Sequence, residues 1–144
     1  MCGRSDKCRV MSDEISILAP AIKPKPQSYR DLLVWQKGIL LAKVVYRLTA
    51  KLPSEERYGL ISQMRRAAVS VPSNIAEGQA RKSTAEFIQF ISIAEGSVAE
   101  LDTQLFLSIE LGFLKGAEAG DCQELIGKLR RMLNALRRRL AGER

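Results

Sequence analysis

The sequence predicts an all-α protein: an up-down-up-down four-helix bundle whose second helix is kinked at Pro72. Three observations point there. Apolar residues recur at three- and four-residue spacing through four long segments. Proline, glycine and capping residues separate those segments, and the connections are short enough to make consecutive helices antiparallel neighbours. The composition is 46% hydrophobic but only 6% aromatic, an aliphatic interior better suited to helices than to a sandwich or barrel.

Residues 1–28 hold Pro20, Pro24 and Pro26 and little pattern, and are expected to be a disordered arm, with Met11 a candidate start. The bundle is expected over residues 29–144. Helix one spans about 29–51, opened by an S-x-x-D capping box of Ser28 and Asp31. Projected at about 100° per residue, Leu32, Trp35, Ile39, Ala42, Val45, Tyr46 and Thr49 face the core. Lys37, Lys43, Arg47 and Lys51 take the opposite arc, and Leu33, Leu40 and Val44 form an apolar row among them, a candidate subunit contact.

Helix two is expected over about 55–78, with Ser54 as its cap and Gly78 as a left-handed stop. Met64, Ala67, Ala68, Val71 and Ile75 form one face. Pro72 removes a backbone donor and crowds the carbonyl of Ala68, so a bend is expected there. Ser70, Ser73 and Asn74 flank it and have the chemistry to bond freed backbone groups. Helix three spans about 83–112, with Ser83 and Glu86 as a capping box. It buries Phe87, Phe90, Ile91, Ala94, Val98, Leu101, Leu105 and Ile109. Its back carries the small residues Ser92, Gly96, Ala99 and Thr103, a second candidate oligomer contact. Helix four is expected over about 121–141, with Cys122, Leu125, Leu129, Met132, Leu133, Leu136 and Leu140 inward.

Formal charge is +7, unevenly placed. Residues 29–52 carry +4, residues 83–114 carry −5 and residues 115–144 carry +4. Helix four would lie beside helix one, so Lys37, Lys43, Arg47, Lys128, Arg130, Arg131, Arg137, Arg138 and Arg139 are candidates for one positive strip. Its expected partner is RNA or DNA, held through phosphates with weak sequence choice. Few aromatics interleave the strip, which argues against base stacking there. Arg65, Arg66, Ser70, Asn74, Glu77, Glu95 and Asp102 are expected to form a structural polar network, with Arg65 level with Glu95.

Other classes are disfavoured. The chain has no histidine, no phosphate-cradling glycine loop and no nucleophile elbow, so no enzymatic activity, metal, cofactor or small-molecule substrate is expected. No run approaches the roughly 18 apolar residues of a membrane span. Cys2, Cys8 and Cys122 lack metal-type spacing, so reduced thiols and a cytoplasmic location are expected.

QMRRAAVSVPSNIAEG at 63–78, with LLVWQK upstream and IAEGSVAEL downstream, resembles the bacterial four-helix-bundle family named for proteins encoded in 23S rRNA intervening sequences. It is more distantly similar to the accessory variability determinant of diversity-generating retroelements. The likeness runs from about Tyr29 to Leu114, with a looser tail to about Leu140. It implies a ring-shaped homo-oligomer, commonly a pentamer. Trp35, Gln63, Arg66, Ser70, Pro72, Asn74, Glu77, Gly78, Glu95, Gly96 and Glu100 match its motifs as fold-defining positions. The alternative to nucleic-acid binding is a homo-oligomeric scaffold for a protein partner.

Overall fold

In a computed structural model that describes residues 28–143, the chain forms four long helices. They are α1 (Leu33–Thr49), α2 (Leu60–Ala80), α3 (Thr84–Glu110) and α4 (Gly116–Leu140). The arm expected over 1–28 falls, but for Ser28, outside the described residues, as do Cys2 and Cys8. Each helix packs on two others in the cyclic order α1–α2–α3–α4–α1, with no close approach of diagonal backbones among the described residues. Cross-helix pairs run in opposite senses along the chain. Ser70 meets Ser97 and Gln63 meets Gln104 between α2 and α3, and Asp102 meets Arg130 while Glu95 meets Arg137 between α3 and α4. Consecutive helices are therefore antiparallel. Lys51 at the end of α1 reaches Glu118 at the start of α4, which makes the closing pair antiparallel too.

The helix ends follow local chemistry. Ser28 and Asp31 make their capping box, but it closes a 3-10 turn over Tyr29–Asp31, and extended backbone at Leu32 precedes α1. Ser54 does not cap α2. It opens a 3-10 turn, Ser54–Glu56, and α2 begins at Leu60, whose amide donates to the Glu56 carboxylate at 3.0 Å. The Ser83 hydroxyl accepts from the Glu86 amide at 3.1 Å and starts α3 as its sequence predicts. Gly112, at φ 79°, supplies the left-handed residue that ends α3. α4 begins at Gly116, earlier than its apolar period suggests, because Glu118 accepts from the Lys115 amide at 2.9 Å. That amide, and then Lys51, hold the Glu118 carboxyl below the ordinary glutamate range.

Gly78 is not a stop. It lies inside α2, buried, where an added Cβ would come within 2.7 Å of the Phe90 Cβ and 3.0 Å of Phe87 Cδ1. Its missing side chain lets the end of α2 close on the aromatic start of α3. Pro72 also sits within α2, which is continuous from Leu60 to Ala80. Ser73 donates to the Val69 carbonyl and Asn74 to that of Ser70, the next two carbonyls after the Ala68 group that Pro72 leaves without its helical donor.

Helix one shows the main correction. Its buried stripe is Val34, Gly38, Leu41, Val45, Leu48 and Thr49. Ile39 and Tyr46, expected in the core, are exposed, and Trp35 and Ala42 are half-buried. The residue that turns the helix is Gly38, where an added Cβ would lie 3.2 Å from the Pro72 Cβ. A proline ring on α2 packs directly on α1 backbone there. Trp35 and Ile39 are thereby rotated to the rim, where Trp35 meets the Tyr29 ring at 5.4 Å between centroids. In the other three helices the aliphatic stripe falls largely where expected, with Met64, Val71, Ile75, Ile91, Leu101, Leu105, Leu129 and Leu133 fully buried. Each such side chain contributes about 1.5–3 kcal/mol on removal from water. On α3 the stripe also takes in Ser97, Gln104 and Ser108, which apolar periodicity passes over. Ser97 bonds Ser70, and Ser108 donates to the Gln104 carbonyl at 2.9 Å.

Candidate nucleic-acid interface

Nine side chains are candidates for the basic strip, and three of them are engaged. Arg137, on the α3 side of α4, donates to the Glu95 carboxylate at 3.1 Å and to Asn134 at 2.7 Å. Arg130 pairs with Asp102 at 3.1 Å, and Arg138 with Glu143 at 3.4 Å. Lys37, Lys43, Arg47, Lys128, Arg131 and Arg139 make no ion pair with any described residue.

The strip is also shorter than its sequence suggests. Leu40 and Val44 of α1 share a groove with Asp121, Glu124, Leu125 and Lys128 of α4, and Leu33 shares another with Met132, Leu136 and Arg139. The end of α1 thus lies against the acidic first half of α4, where Glu118 takes Lys51. At the other end Arg139 of α4 lies beside the start of α1. The same contacts locate the Leu33/Leu40/Val44 row, of which Leu33 and Leu40 stay exposed. It lies along the α1–α4 seam, and Val44 packs against the core rather than standing clear of it.

The residues of the expected polar network fall into separate arrangements. Ser70 and Asn74 form a small cluster with Ser97 between α2 and α3, at 2.8–2.9 Å. Glu77 pairs with Arg81 one turn on. Glu95 and Asp102 pair with arginines of α4, as above. Arg65 is not near Glu95. It points to α1, where its Nε donates to the Thr49 hydroxyl at 2.9 Å and its guanidinium lies 4.6 Å from the centre of the Tyr46 ring. Arg66 makes no hydrogen bond or ion pair with a described residue. The register that the loop predicts fails because α2 extends to Ala80 and places Gln63, not Arg65, opposite Gln104. Gln104 also donates to Glu100, and its own buried Oε1 has no partner among the described residues.

Ser92, Gly96, Ala99 and Thr103 are all exposed on the back of α3, and a Cβ at Gly96 would touch nothing. Beside them, and not apparent as a patch from the sequence, Ile93, Phe106, Leu107 and Leu111 are 44–63% exposed. Cys122 is buried, and burial pushes its thiol up to about 11, with the nearby Asp102 charge adding to the effect. Among the described residues no three of His, Cys, Asp or Glu gather to hold a metal ion, and no helix is long and apolar enough to cross a membrane.

A four-helix bundle with one basic end and one apolar, acid-edged helix back is the class these features define. The model of the 23S rRNA-intervening sequence protein family matches residues 30–135, and the chain belongs to that family. A crystal structure of a protein of unknown function from the S23 ribosomal protein family of Bacteroides thetaiotaomicron has a similar fold, with a TM-score of 0.67 and 22% identity. That likeness covers 72% of this chain and 97% of the other. Among curated proteins none matches this chain.

Proposed function

We propose that the protein is a non-enzymatic, cytoplasmic homo-oligomer that binds RNA or DNA through the phosphate backbone. The supporting observation is the set of cations left without carboxylate partners: Lys37, Lys43, Arg47, Lys128, Arg131 and Arg139 among the described residues. Unpaired lysines and arginines on a chain of net charge +7 release counterions when they meet phosphates. A set of phosphate contacts of about this size costs on the order of 10³ in affinity between about 50 and about 200 mM salt. Fluorescence anisotropy with labelled RNA and duplex DNA across a salt series tests this. Lys128→Gln with Arg131→Gln should weaken binding to all sequences alike and flatten the salt slope by about one unit for each phosphate no longer neutralised. No salt-sensitive binding to any nucleic acid would remove the reading.

A second reading, an oligomeric scaffold, draws on the back of α3. Ile93, Phe106, Leu107 and Leu111 are exposed apolar side chains around a ridge of small residues, in a helix with acids and no cation. A copy presenting its basic, apolar α1 face would complement that surface in a head-to-tail ring, and five copies are the number the family resemblance suggests. Phe106→Glu should lower the mass seen by light scattering without loss of helicity. An unchanged assembly would exclude this face.

A further inference from the structure

Off the α1–α4 strip lies a groove between α1 and α2. The end of α1, the connection after it and the first turns of α2 enclose about 710 Å³, open to solvent. Arg57, Arg65 and Arg66 line it together with Tyr46 and Tyr58, and no carboxylate does. Glu56, a near neighbour in sequence, has its carboxylate turned to the start of α2, where it accepts from the Leu60 amide. Arg57 and Arg66 have no ion pair with any described residue. Arg65 is held against Tyr46 by its bonds to the Thr49 hydroxyl and the Tyr46 carbonyl. Two of its five N–H groups are so used, which leaves a fixed guanidinium with donors to spare.

Tyr58 completes the groove. It is 90% exposed, and no described ring or cation packs on it. A bare tyrosine beside three guanidiniums offers a π-face where a planar base can stack while its phosphates meet the arginines. Stacking requires a base face, which a continuous duplex keeps inside its own stack. The expectation of few aromatics concerned the α1–α4 strip, and this groove carries two tyrosines.

Resting on the nucleic-acid reading above, we propose that the Arg57–Arg65–Arg66 groove binds a segment of single-stranded nucleic acid, with a base stacked on Tyr58 and phosphates on the arginines. The test is anisotropy with a fluorescein-labelled oligouridylate of about twelve nucleotides, within the span such sites cover, and with a duplex of the same length. Tyr58→Ala should weaken single-strand binding roughly five-fold or more and leave duplex binding unchanged, while Tyr58→Phe keeps the affinity. Arg57→Gln with Arg66→Gln should flatten the single-strand salt slope by about 0.7 for each phosphate no longer neutralised. All three residues are exposed, and melting curves of the variants check that the fold survives. If these variants bind the single strand as the parent does while Lys128→Gln with Arg131→Gln loses affinity, the groove is excluded and the general reading stands. If Tyr58→Ala weakens duplex and single strand equally, stacking is excluded. Binding of neither probe removes both proposals.

Discussion

Arginines on two seams of this bundle meet opposite fates. Between α3 and α4, Arg130 and Arg137 are tied to Asp102 and Glu95, so charge that reads as basic on α4 is cancelled by acids of the neighbouring helix. Between α1 and α2, Arg57, Arg65 and Arg66 stand in a groove with hydroxyls and aromatic rings and no carboxylate. The count of cations per segment ranks α4 above α2 as a polyanion surface. The count of cations without partners brings the start of α2 level with it. Net charge along the chain measures neither, because a helix takes its counterions from whichever helix packs beside it.

The two seams differ in closure as well, and the largest expected effect comes from prising the α1–α2 seam open. Gly38→Leu must displace the Pro72 ring and should cost about 2–3 kcal/mol by overpacking, read as a lower urea midpoint. Gly38→Ala is the sharper probe. Its contact at 3.2 Å is tight but its helix propensity is better by about 1 kcal/mol, so the net change should be small. On the α3–α4 seam, Glu95→Ala strands the Arg137 guanidinium, whose side chain is 33% exposed, and should cost about 1 kcal/mol after allowance for solvent. A double-mutant cycle on this pair should show coupling that shrinks with salt, and zero coupling would make the bridge incidental. The more exposed Arg130–Asp102 pair should couple by only about 0.5 kcal/mol or less.

Cys122 reports on the same seam. Its thiol is raised to about 11 in the folded chain against an ordinary value of 9.0, so the unfolded chain loses the proton first. This contribution to stability is therefore full below pH 9, declines as pH rises, and is lost by about pH 11. At neutral pH, a thiol reagent should label native protein far more slowly than urea-unfolded protein. Fast native labelling would mean that α3 and α4 open readily. The smallest effects belong to the arginine groove: Arg66→Gln and Tyr58→Ala should each change stability by less than about 0.5 kcal/mol, because neither side chain holds the fold together. A larger loss would turn the groove into a structural feature.

Much of the helix pattern was legible because it depends on short-range information. Ser83 caps α3 through an amide three residues away, and Gly112 ends it through its own backbone freedom. The aliphatic stripes of α2 and α4 follow from period alone. Helix one resisted the same method because apolar residues surround most of it: Val34, Leu41 and Val45 on one arc, Leu33, Leu40 and Val44 on a second, Trp35, Ile39 and Tyr46 on a third. Period cannot choose among three apolar arcs. Gly38 was the available signal, since the one position without a side chain marks where another backbone approaches most closely. Ser97, Gln104 and Ser108 were invisible for a related reason: they are polar residues in the buried stripe, where Ser97 meets Ser70, Gln104 meets Gln63 and Ser108 bonds its own helix beside Met64.

What the sequence determined by itself is the class of protein. Helical period, caps, short connections and the motif over 63–78 specify four helices and a family, because each rests on residues close together in the chain. Tertiary structure alone decided which face of α1 turns inward, which acid meets which arginine, and that Tyr46 and Tyr58 share a groove with Arg57, Arg65 and Arg66. Those outcomes depend on how far each helix extends and how it rotates against its neighbour. A shift of one residue turns a helix by about 100°, enough to trade an ion pair for an open surface.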